Sequence, residues 1–120
     1  PAKVLPCIEF QSDCTPLYEP LYDNVFEQTL KPTCGFPGSQ CHSREGARGG
    51  FVVDTAEATL ARLLDDSQEE PLVIAGDPSC SILAKRIGSL SPGDVMPPGD
   101  PLAAEEQCAV LHWIEKGATR

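Results

Sequence analysis

Residues 33–53 read Thr33-Cys34-Gly35-Phe36-Pro37-Gly38-Ser39-Gln40-Cys41-His42-Ser43-Arg44-Glu45-Gly46-Ala47-Arg48-Gly49-Gly50-Phe51-Val52-Val53. Five glycines and a proline in that stretch defeat repetitive hydrogen bonding, so it is a long shaped loop, the kind of element on which chemistry is carried. On its N-terminal side Tyr22, Val25, Phe26 and Leu30 recur at helical spacing. Pro32 limits that helix to about three turns. On the other side Asp54 and Glu57 stand at capping-box spacing ahead of Ala56, Leu60, Leu63 and Leu64, which predicts a second helix running to the acidic run 65–70.

Further along, Asp77 and Pro78 read as an N-cap with proline in the first helical position. Cys80, Leu83, Ala84 and Ile87 form one face of the third helix, and Gly88 suits a left-handed C-terminal cap. Residues 89–101 hold four prolines and are irregular. The last helix starts near Ala103, sets Glu105 and Glu106 at its positive end, and buries Val110, Leu111, Trp113 and Ile114 before Gly117. No strand pair carries a hairpin signal. The fold class is mainly α: about four short helices joined by long Gly/Pro-rich loops. Residues 1–16 form an N-terminal arm with two cysteines, and 17–120 the domain. At 120 residues there is room for one domain and a small core.

Twelve prolines and ten glycines exceed the background of roughly 12% combined, which fits the loop-rich reading. The net charge of −9 and the lack of a basic cluster argue against nucleic acid. No apolar run is long enough to span a membrane. Six cysteines, an even number, indicate an oxidising compartment: periplasm, outer surface or extracellular space. The chain opens at Pro1 with neither an initiator Met nor an apolar signal stretch, and so reads as a mature or trimmed exported form.

Cys41-His42, preceded by Cys34, is the sharpest chemical signal. A thiol followed by imidazole is what covalent haem c attachment uses, the sulfur adding to a vinyl group and the imidazole reaching iron. The usual spacer is two residues; here it is six, and a Cys34–Cys41 disulfide is an equal reading. Met96, the single methionine, lies in Val95-Met96-Pro97-Pro98-Gly99. Its thioether is either a soft iron ligand on a proline-stiffened loop or an ordinary core side chain. His112 reads as structural. Asp54 and Asp77 read as helix caps, and no nucleophile elbow, phosphate loop or zinc spacing occurs.

The ordered series Cys41-His42, Gly49-Gly50-Phe51, Gly76-Asp77-Pro78 with Ser81 and Leu83, Met96-Pro97-Pro98-Gly99, Leu102, Trp113-Ile114 and Gly117-Ala118 resembles the planctomycete-type cytochrome c domain family, from about Leu17 to Ala118. The resemblance implies a cytochrome c-like fold and one haem c, with Cys34 and Cys41 as thioether positions and His42 and Met96 as axial ligands. It also implies that Trp113 and Ile114 lie on a helix packed against the first, and that the activity is electron transfer to a redox partner protein or a second copy. Such a carrier is not an enzyme, and peroxide chemistry lacks a distal acid-base residue. The chain departs from the family in the thiol spacing, in Ser43 where glycine is common, and in Cys80 and Cys108.

Cys7, Cys14, Cys80 and Cys108 are the disulfide candidates. Cys80 and Cys108 could meet where the third and fourth helices cross, a bridge worth about 3 to 4 kcal/mol. Cys7 could pair with Cys14, or Cys14 with Cys34. A haem-free alternative, a structural or binding module, uses all six thiols as Cys7–Cys14, Cys34–Cys41 and Cys80–Cys108.

Overall fold

The computed structural model describes residues 5–34, 53–67, 71–90, 95–97 and 100–120. Among these the architecture is helical and strand-free. Helix α1 (Tyr22–Val25) continues directly into a π-helical segment, Phe26–Cys34; α2 is Ala56–Leu63, α3 Ile82–Ile87 and α4 Ala104–Glu115.

The first helix buries Tyr22, Val25, Phe26, Thr29 and Leu30, one face at the expected spacing. It outruns its predicted stop, because Pro32 lies inside the segment that ends at Cys34. A proline ring collides with the carbonyl four residues back in an α-turn, and the wider i→i+5 turn relieves that conflict. At the centre of the core Tyr22 meets Trp113 of α4 with ring centroids 5.4 Å apart, so the two helices pack through aromatic faces. The Tyr22 hydroxyl donates to Ala56 O (2.7 Å) at the start of α2, and Trp113 Nε1 donates to Thr119 O (2.9 Å). Both polar tips are thus satisfied inside the core.

Three local expectations are corrected. The cap of α2 is Thr55, not Asp54: Thr55 is extended and its hydroxyl accepts from Ala58 N at 3.1 Å. Asp54 instead sends its N–H to the buried Thr59 hydroxyl. Asp77 caps a turn rather than the third helix, its Oδ1 accepting from Ser79 N (3.2 Å) and Cys80 N (2.9 Å), and α3 starts only at Ile82. Gly88 is not left-handed (φ −100°). A Cβ there would stand 2.7 Å from Ile8 Cδ1, so the position needs glycine to let the arm approach.

Among the described residues the left-handed positions are Gly76, Gly117 and Ala118. Gly117 and Ala118 donate to Ile114 O and Trp113 O, a Schellman closure of α4. Gly76 N donates to Ile114 O, fastening the 76–81 turn to the same helix. Within that turn the buried Ser81 hydroxyl accepts from Ile74 N (2.8 Å) and donates to Asp77 O (2.7 Å). The Gly76-Asp77-Pro78 signature with Ser81 is therefore a self-bonded turn that leads into α3 and is fastened to α4 through Gly76.

The pairings proposed within the arm and between α3 and α4 are overturned. Cys7 is bonded to Cys80 and Cys14 to Cys108, with Cα separations of 4.5 and 6.1 Å. Hence Cys7–Cys14, Cys14–Cys34 and Cys80–Cys108 do not form. The cause is the arm's path: Ile8 N donates to Ser79 O, which sets Cys7 beside Cys80, and Leu17 N donates to Glu105 O, which brings Cys14 alongside α4. The arm is extended over two helices rather than folded on itself. The predicted Cys34–Cys41 bridge involves Cys41, outside the described residues.

Candidate functional site

Cys34 is the last residue of the π-helical segment, half-buried and packed against the core formed with Tyr22, Phe26 and Leu30. It takes part in neither described disulfide. A core-packed helix thus carries this thiol at its last residue, directly before the glycine-rich stretch of sequence. Cys41 and His42 lie outside the described residues, as do the loop glycines.

Met96 is half-buried, between the buried Val95 and the cis-linked Pro97. Its backbone N–H donates to Arg86 O at 2.9 Å, tying the segment to α3. Pro97 has no N–H to compete for that carbonyl. The thioether is therefore presented from a short segment held by one backbone bond and one core side chain.

Arg62 in the last turn of α2 is a feature the sequence reading passed over. Its Nη1 is buried and has no hydrogen-bond partner. A guanidinium offers donors only and no acceptor of its own. Leaving such a donor buried and unpaired costs at least roughly 1–3 kcal/mol. The available signal was one basic residue inside the apolar run Leu60-Ala61-Arg62-Leu63-Leu64.

A second buried polar group centres on Thr29. Thr29 Oγ1 donates to Glu106 Oε2 (2.7 Å), so its single proton is committed. The Tyr18 hydroxyl at 2.6 Å must then be the donor to Thr29. The chain of bonds joins the pre-helical segment, the first helix and α4. Burial pushes the Tyr18 hydroxyl up to about 12, against the lowering effect of the Thr29 bond. Burial likewise raises Tyr22 to about 12, opposed by nearby Arg120. Both phenols are held neutral.

His112 behaves as a structural residue: its ring meets Phe10 edge-on at 5.1 Å, and Nδ1 lies 3.4 Å from Glu115 Oε1. Its ring nitrogen and the sulfurs of Cys14 and Cys108 fall within 4.8 Å of one another. Those sulfurs are bonded to each other, and a metal needs the thiolates that this bond removes. The cluster is a disulfide packed on an imidazole. No helix among the described residues is long and apolar enough to cross a membrane.

The sequence pattern of the planctomycete cytochrome C family matches residues 39–100, just over half of the chain. The match takes in Cys41, His42, Arg62, Cys80 and Met96, and leaves Cys34, the arm and α4 outside. No curated protein and no solved structure matches the chain.

Proposed function

The chain belongs to the planctomycete cytochrome C family, and from that premise we propose that it is an exported electron carrier with one covalently attached haem c. The observation that carries the reading is the span of the family match: it begins just before Cys41-His42 and ends just after Met96. These are the residue types that attach haem c and ligate its iron from two sides.

The described residues suit such a group. Met96 offers a half-buried soft donor on a tethered segment. Arg62 offers a buried cationic donor whose Nη1 lacks an acceptor within the chain, and haem carries two carboxylates. Cys41 and Cys34 would hold the group through thioethers, and His42 and Met96 would bind its iron. When bound, it supplies a one-electron iron couple whose potential His/Met ligation raises.

The protein's own part is to hold and exclude. The π-helical segment fixes Cys34 against the core and Arg86 O fixes the Met96 backbone; with His42 and Met96 both holding the iron, the group would supply electron transfer rather than substrate chemistry, as in a carrier and not an enzyme. The net charge of −9 steers a redox partner with a basic face; a second copy would be repelled more than attracted. Two disulfides favour an oxidising location outside the cytoplasm.

One observation favours a second reading, a haem-free structural or binding module: the six-residue spacing between Cys34 and Cys41 suits a closed disulfide loop as well as it suits haem. A visible spectrum of the protein made in cells able to mature c-type cytochromes separates the two. A low-spin haem spectrum that resists acid-acetone extraction supports the carrier. A colourless protein produced there supports the module.

A further inference from the structure

We propose that Arg62 is the anchoring cation for a haem propionate, so that the chain carries an electrostatic debt when haem-free that the loaded form cancels. The assignment rests on the haem c reading above.

Two other described cations face carboxylates, whereas what sets Arg62 apart is a buried nitrogen without one. Lys31 faces Glu27 at 3.7 Å, and Arg120 faces Asp23 at 3.1 Å and Glu57 at 3.9 Å, all on exposed surface. Arg62 Nη1 is buried with no acceptor. It stands inside the family-matched segment, on the helix whose Ala56 and Leu60 pack against the same core as Cys34. A planar guanidinium with fixed donors is matched by a carboxylate, and a propionate is the one carboxylate that arrives with the group rather than with the chain. Holding it would also keep that carboxylate ionised, since a nearby cation favours its charged form.

This predicts opposite signs in the two forms of the protein. In the haem-free chain Arg62→Met removes a buried donor that has no acceptor and fills the same space with apolar atoms, so the melting temperature rises or holds. In the haem-loaded chain the same change strands a carboxylate, and the melting temperature falls by at least about 4 °C. Arg62→Lys retains the charge and restores part of the loss. A second readout is the midpoint potential followed against pH: in Arg62→Met the step due to propionate titration moves to higher pH. Melting shifts of the same sign in both forms, with an unchanged pH profile, would overturn the assignment while leaving the carrier reading intact. A wild-type protein that takes up no haem in a maturation-competent host overturns the carrier reading, and the assignment with it.

Discussion

Replacing Cys14 and Cys108 together by alanine removes the bridge that holds the end of the arm to α4. The bridge spans 94 residues of sequence, and closing a loop of that size in the unfolded chain is worth about 4.7 kcal/mol by the loop-entropy relation. With Cys7–Cys80 intact, however, the unfolded chain is already shortened. The path from Cys14 back to Cys7 and from Cys80 on to Cys108 is only about 35 residues, and the same relation gives about 4 kcal/mol. The double variant should therefore lose about 4 kcal/mol, out of the roughly 5–15 kcal/mol typical of a domain. Removing both bridges costs about 8 kcal/mol by the same relation, enough to leave the haem-free chain largely unfolded. Guanidinium unfolding followed by fluorescence of Trp113, the single tryptophan and 2% exposed, measures each loss in the haem-free protein. A loss below about 1 kcal/mol for Cys14→Ala with Cys108→Ala would refute the entropic argument. Peptide mapping that recovers Cys7–Cys14 would refute the pairing itself.

Gly88→Ala sets a methyl 2.7 Å from Ile8 Cδ1; because the Ile8 tip can shift, the cost is about 1 kcal/mol, and Ile8→Ala in the same chain recovers part of it. Thr29→Val breaks both bonds of the Tyr18–Thr29–Glu106 chain and strands a phenol and a carboxylate, for a loss of about 2 kcal/mol in chemical denaturation. Stability also declines in alkali. Tyr18 and Tyr22 hold their protons up to about pH 12 when folded but release them near 10 when unfolded. The unfolded state thus binds fewer protons between those values, and unfolding is favoured as pH rises through that window. A spectrophotometric titration in which both phenols ionise at 10 with the fold intact would contradict this. Under the carrier reading, Met96→Ala keeps the covalent haem and lowers the midpoint potential, whereas His42→Ala loses the normal low-spin spectrum. An unchanged potential in the Met96 variant removes that residue from the iron.

Helix placement was legible wherever an apolar face repeats, as in Tyr22-Val25-Phe26-Leu30 and Val110-Leu111-Trp113-Ile114, since burial of a stripe is a local pattern. Ends were less legible because they turn on one hydrogen bond. Thr55 and Asp54 are both competent caps, and only the backbone decides which is extended. Pro32 reads as a terminator until tertiary packing makes a wide turn tolerable. The disulfide residues were evident from composition, but their partners depend on the course of the N-terminal arm, set by two long-range backbone bonds, which no spacing encodes. Gly88 carried the most misleading signal. Glycine after a helix usually means a left-handed cap, and here it means room for Ile8. At the candidate site, Met96 and Cys34 stood out as soft donors in unusual settings. Arg62 did not, because an arginine near a helix end is ordinary until its burial is known.

The intact mass of the denatured protein, isolated from a host that matures c-type cytochromes, bears most directly on whether iron is carried. The account predicts a species heavier than the bare chain by one haem, with the increment retained through unfolding and only four thiol hydrogens lost to the two bridges. A species at the mass of the chain less six hydrogens, with no haem, would contradict it and leave Cys34 and Cys41 as the third bridge of a helical scaffold.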